Sequence, residues 1–249
     1  MKKLLLDIIY YISFKFIKIK DYLDKRGLFK TYSLDQNDYA YFRFRKEELD
    51  KSYQTFKKHF YRCVFLESNN LRRHCIKTAC INEKPEDFFL EFGVYKGTSI
   101  NFFSKHIKMN KIYGFDSFEG LNHNWSGHSE EVGHKDLKGR IPNVEHNVIL
   151  IKGWIENTLN QFIKDHKNLS VKFIHIDTDT YESTKIILKQ LKPFLQNDCV
   201  ILFDDFYNFA GWSVGEYKAL IENFDENEYE YFAFGLTGKQ AAIKFKKIT

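Results

Sequence analysis

From Glu86 to the end of the chain, short apolar runs alternate with helix-length amphipathic segments. The runs span 87–94, 111–116, 147–153, 171–177 and 199–205, and the segments TSINFFSKHIK, WIENTLNQFIKDH and YESTKIILKQLK lie between most of them. A strand that is apolar at every position is buried on both faces. Strands of that kind alternating with helices imply a mostly parallel sheet covered on both sides. Two further strand-like runs, EYFAFGL and QAAIKFKKI, are joined by Thr237-Gly238 and read as a C-terminal antiparallel hairpin at one edge. The expectation is an α/β, Rossmann-like sheet of seven strands. Up to about residue 83, KEELDKSYQTFKKHFY and LRRHCIKTAC show no strand alternation and read as helices. The expected organisation is an arm and helical cap over 1–83, then a domain over 84–249 with a lid at 121–145.

The 249 residues suit one medium domain with an appendage, and three prolines leave little room for a disordered linker. Four scattered cysteines form no CxxC pair, which argues against a zinc knuckle or disulfide framework and suits a reducing cytoplasm. Residues 1–30 carry eight Lys or Arg against three Asp, the whole of the net charge of +5. A nucleic-acid binder spreads its basic face over the fold, so no nucleic acid is expected as partner. In this arm Leu5, Ile8 or Ile9, Ile12, Phe16 and Ile19 recur at helical spacing. Its charge-free run, Ile8 to Phe14, falls short of the about 20 apolar residues that cross a bilayer. A basic amphipathic helix lies on an anionic membrane surface, here the inner face, or packs on its own protein or a second copy.

Ligands of an open α/β sheet bind beyond the carboxyl ends of its strands. The first strand runs out through Glu91, Gly93, Tyr95, Gly97, Thr98 and Ser99. The glycines let the backbone turn tightly near a ligand, although a plain strand-to-helix turn reads the same and GxGxxG is absent. The second strand ends in Asp116, Ser117 and Phe118, where an acid commonly binds a ribose diol or caps a turn. Asp177 ends the fourth strand and Asp204-Asp205 the fifth, so three carboxylates are expected to converge. Such a group repels itself unless a cation is present, and an all-oxygen set points to Mg²⁺. Asp179, expected at the lip of the site, can act as general base towards a substrate hydroxyl; alternatively Asp179 or Thr180 caps the helix that starts near Tyr181. His175 reads as a core histidine or one behind the site.

GFDSFEGL (114–121), NVILIKGWIENTL (147–159), FIHIDTDTYEST (173–184) and ILFDDF (201–206) together resemble the macrocin O-methyltransferase family. The resemblance runs from about Phe88 to Leu220. It implies a Rossmann-like class I methyltransferase domain that uses S-adenosylmethionine and Mg²⁺ to methylate a sugar hydroxyl, often as a homodimer. It makes Glu91, Gly93 and Gly97, with Tyr95, Thr98 and Ser99, the methionine-side loop, and Asp116, Ser117 and Phe118 the ribose side. Gly153-Trp154 would lie near the adenine, and Asp177 would border the cofactor. Asp177, Asp204 and Asp205 align with the metal ligands and Asp179 with the catalytic base. The acceptor would belong to a glycan, capsule or glycosylated natural product. A catechol-like diol, a non-catalytic binding protein on the same fold and a metallohydrolase are the competing readings. The lid histidines His123, His128 and His134 hint at a metal, against which stands a plain polar lid.

Overall fold

A computed structural model describes residues 40–126 and 132–247. The expected N-terminal amphipathic arm and His128 therefore lie outside the described residues. The chain divides into two compact units, 1–45 and 46–249. Of the first, only the opening turns of helix α1 (Ala40–Phe60) are described.

In chain order, α1 is followed by β1 (Val64–Leu66), α2 (Ser68–Ala79), β2 (Phe88–Phe92), α3 (Thr98–Ser104), β3 (Ile112–Asp116) and β4 (Val148–Lys152). Then come α4 (Ile155–Asp165), β5 (Val171–Ile176), α5 (Tyr181–Leu191), β6 (Leu195–Phe203), α6 (Glu216–Asn223), β7 (Tyr229–Gly235) and β8 (Ala241–Phe245). The strands form one sheet in the order β1-β7-β8-β6-β5-β2-β3-β4, in which β8 is antiparallel to both its neighbours and the other pairs are parallel. This is the Rossmann-like class I methyltransferase architecture; the antiparallel hairpin of β7 and β8 is present but, with β1 beyond β7, does not form the edge of the sheet as expected.

The sheet has eight strands, one more than expected. The extra strand, β1, lies in a stretch read as helical and pairs with β7 through Val64↔Ala233 and Leu66↔Gly235. Three residues carry too little alternation to signal a strand; β1 exists because β7 offers an open edge.

Alternate residues of the central strands feed opposite cores. From β6, Ile201 and Phe203 pack among α4, α5 and α6, while Val200 and Leu202 pack against α2 and α3. No helix among the described residues is long and apolar enough to cross a membrane. All four cysteines are free.

Helix α1 turns Glu48, Ser52 and Phe56, spaced by four, towards the sheet unit. Glu48 O accepts from Trp212 Nε1 at 2.9 Å, and Ser52 Oγ accepts from the Asn208 amide at 3.0 Å. Phe56, 1% exposed, has six aromatic neighbours at ring-centroid distances of 5.4–5.9 Å: Phe206, Tyr207, Trp212, Tyr217, Tyr231 and Phe234. Phe56→Ala is expected to lower the unfolding free energy by about 3–5 kcal/mol, as a large cavity does. Urea denaturation checks this, and a loss near zero would show that α1 packs only peripherally.

Candidate active site

The parallel strands end level. Phe92 pairs with Phe115 and Ile176, and Ile176 pairs with Phe203. One further main-chain bond ties each next residue to its neighbour. The amides of Gly93, Asp177, Asp204 and Gly153 donate to the carbonyls of Phe115, Phe92, Ile176 and Asp116 at 2.9–3.0 Å. Gly93 has φ +86°, and a Cβ there would lie 1.9 Å from the Asp177 carbonyl oxygen. The ends of β2 and β5 can touch only because this residue is glycine.

A cleft of about 710 Å³, open solvent included, lies over these ends. Of the residues singled out from the sequence, Gly93, Tyr95, Asp116, Ser117, Gly153, Trp154 and Asp177 line it, together with Leu121, Asn122, Lys135 and Glu156, which were not singled out. Glu91, Gly97, Thr98, Ser99 and Phe118 do not line it. Gly97, with φ +80°, starts α3, and Phe118 is core. Asp116 was expected on a ribose diol, yet its carboxylate holds the loops themselves. Oδ2 accepts the Val94 and Tyr95 amides at 2.8 and 2.7 Å, and Oδ1 accepts the Phe118 amide at 2.6 Å. One acceptor position on Oδ1 is left for a ligand.

A second cleft, of about 650 Å³, adjoins the first and is walled by Trp125, Tyr181, Phe209 and Lys218. Asp177 lines the first cleft, Asp205 the second, and Asp179 both. These three carboxylates each offer an oxygen within 4.8 Å of the others. Asp179 does not stand at an open lip. Its side chain is 1% exposed, Lys135 Nζ donates to Oδ2 at 2.7 Å, and Oδ1 is buried without a partner. Thr180 holds the N-cap position of α5 but makes no side-chain capping bond, so neither residue caps the helix through its side chain.

Asp204 and Asp205 part company. Consecutive residues leaving a strand point to opposite faces. The Asp204 carboxylate turns towards α2, where Oδ1 accepts from Arg72 at 3.0 Å, from Gln240 at 2.6 Å and from His175 Nε2 at 3.4 Å. Asp204 therefore groups with His175 and Asp177, and not with Asp205. Asp205 instead meets Lys239 at 3.3 Å, and its amide donates to the buried Glu216. His175 is wholly buried and also bonds through Nδ1 to Glu91, which in turn accepts from Ser99 Oγ. Arg72, Lys135, Gln240 and Lys239 carried no motif. Only the fold brings them to the site. Of the lid histidines, His123 and His134 are exposed, and neither belongs to a metal-holding group among the described residues.

Burial, then repulsion from Asp204, pushes the Asp177 carboxyl up to about 8. Burial and the neighbouring carboxylates likewise hold Asp205 and Glu216 well above the usual range. Buried, mutually repelling carboxylates around an unpartnered oxygen fit a hard cation. Burial would lower His175, but its bonds to Asp204 and Glu91 win and raise it to about 9. Burial also opposes ionisation of Asp204, yet the His175 bond and charge, with Arg72, hold it well below the carboxylate range.

Folded Asp177 keeps its proton between its ordinary 3.8 and about 8. Folded His175 keeps its proton between its ordinary 6.5 and about 9. In both windows the native state binds more protons, so stability falls as pH rises. Asp204 has the opposite sign, and its contribution is lost only in acid. The metal-free protein should therefore lose thermal stability steadily from about pH 6.5 to 9. Calorimetric melting across that range checks it, and a flat or rising profile would contradict the buried network.

Residues 90–206 match a family described as a methyltransferase domain. Among solved structures, CalS11, a calicheamicin methyltransferase, superposes with a TM-score of 0.60 at 17% identity, covering 72% of this chain and 79% of its own. A second CalS11 structure, of the apo TDP-rhamnose 3'-O-methyltransferase, gives 0.54 at 16% over the same shares. The O-methyltransferase NovP gives 0.50 at 18%, again covering 72% and 79%. No curated protein matches the chain. At these identities the structural likeness establishes the fold. The match over 90–206 likens this segment to a methyltransferase domain.

Proposed function

We propose that this chain transfers a methyl group from S-adenosylmethionine to a sugar hydroxyl, with Mg²⁺ held by the aspartate cluster. The observation that carries the reading is one carboxylate group joining two clefts, with Asp179 lining both. In this reading the first cleft takes the cofactor. Phe115, Leu121 and Ile155 supply apolar wall, and Asp116, Ser117 and Glu156 supply polar contacts. The second cleft takes the acceptor, whose sugar C–H faces suit the rings of Trp125, Tyr181 and Phe209. The structural neighbours include an enzyme described as a TDP-rhamnose 3'-O-methyltransferase, and the motif resemblance to macrocin O-methyltransferases points the same way.

Asp177 and Asp205 would hold the cation, flanked by Asp204, which groups with Asp177 and His175 and not with Asp205. Bound S-adenosylmethionine supplies an electrophilic methyl group, and the dication supplies charge that acidifies and aligns neighbouring hydroxyls. Asp179 would accept the acceptor's hydroxyl proton, which would leave the oxygen ready to take the methyl group that S-adenosylmethionine would supply. Arg72, His175 and Gln240 keep Asp204 ionised and oriented. The free thiols suit a reducing cytoplasm.

Calorimetric titration of S-adenosylhomocysteine, with and without Mg²⁺, should show micromolar binding. No heat in either buffer would remove the cofactor and leave a binding protein or hydrolase on this fold. A panel of sugar nucleotides and catechols then identifies the acceptor class; turnover of catechols alone would overturn the sugar assignment, and turnover surviving EDTA the metal.

Asp179→Asn should keep S-adenosylhomocysteine affinity while lowering kcat by about 10²-fold or more, as loss of a general base does. Unchanged turnover would take Asp179 out of the chemistry.

A further inference from the structure

Residues 133–139 fold back on residues 118–121. The Leu121 amide donates to the His134 carbonyl at 3.0 Å, and Gly133 returns a bond to Leu121 at 2.9 Å. The Leu137 and Gly139 amides both donate to the Phe118 carbonyl. This backbone presents Lys135, at φ +65°, to the junction of the two clefts. There its ammonium lies 2.7 Å from Asp179 Oδ2 and 5.4 Å from the centre of the Trp125 ring. Lys239 lies on the same ring at 4.6 Å and reaches Asp205 at 3.3 Å. One indole thus faces two ammonium groups, and each of those groups bonds a carboxylate of the cluster.

We infer that Lys135 is the resident counter-ion of this site, and that a divalent cation must displace it from Asp179 to bind. The inference rests on the cation reading given above. Three carboxylates against two ammonium groups leave at most one net negative charge. A dication entering with both lysines in place would make the buried site positive, which is costly at low dielectric. One lysine must leave. Lys135 is 30% exposed on a flexible four-carbon stem, so its charge can swing into water at little cost. Its departure also frees Asp179 as a proton acceptor and clears the point where the clefts meet. Cation binding is thereby tied to rearrangement of Lys135, which lines the first cleft and lies against Trp125 of the second.

The test is Mn²⁺ and Mg²⁺ affinity, measured by calorimetry and by Mn²⁺ electron paramagnetic resonance. It uses the full chain as wild type, Lys135→Met and Lys135→Arg. Methionine keeps the stem and removes the charge; arginine keeps the charge. Loss of a competing charge should tighten binding by about 10- to 100-fold in Lys135→Met and not in Lys135→Arg. Mg²⁺ should also change tryptophan fluorescence in the wild type, and the change should vanish in Trp125→Phe. Equal or weaker binding by a folded Lys135→Met, with the wild type binding normally, overturns the displacement and leaves the metal site standing. If Lys135→Met does not fold, a fluorescence response identical in wild type and Trp125→Phe overturns it instead. Absence of Mn²⁺ and Mg²⁺ binding in every protein removes the metal site, and the inference with it.

Discussion

The shared register of five parallel strands is the constraint on which the site depends. Because Phe115 of β3 shares one rung with the last residues of β2, β5 and β6, Asp116, Gly93, Asp177 and Asp204 follow it as a row. Main-chain hydrogen bonds hold this row, so side-chain motion does not disperse it. Strand spacing of about 4.8 Å then brings the carboxylates of β5 and β6 into one volume. Gly93 is the steric condition for that arrangement, since any Cβ there would collide with the Asp177 carbonyl.

Charge is distributed around the row by strand parity. Asp177 and Asp204 follow the rung on the α2 side of the sheet, where Arg72 and His175 meet Asp204. Asp205 falls on the other side, against Glu216 of α6 and beneath Lys239. A buried chain from Ser99 through Glu91, His175 and Asp204 to Arg72 therefore links α3, three adjacent strands and α2. Removing one member would strand a buried charge, so the helices before residue 84 act as part of the site and not merely as its cover. Helix α1 has a comparable role, since Glu48 and Ser52 bond the loop 206–213 that follows Asp205.

Most of the architecture was legible because burial on both faces leaves a mark in the sequence. The apolar runs of β2 to β6 and their intervening helices fell where expected, as did the hairpin of β7 and β8. Strand β1 was not legible, because its existence depends on a partner more than 160 residues away. Gly93, Tyr95, Asp116, Ser117 and Asp177, singled out by their place at and after strand ends, line the first cleft, as does Trp154, singled out by the family resemblance. Asp204 and Asp205 were read as a unit, although alternation separates their side chains. Asp179 was expected near water and is buried beneath Lys135.

What the sequence by itself determined is the order of elements and the identity of residues at the strand ends, since both follow from local periodicity and chain position. Only the tertiary structure decided which charges meet. Lys135, Lys239, Arg72 and Gln240 come from a loop, a hairpin approach, a helix and a strand entrance, at separations no local pattern encodes. Their positions follow from packing, because a buried carboxylate selects a counter-ion by proximity in space and not along the chain.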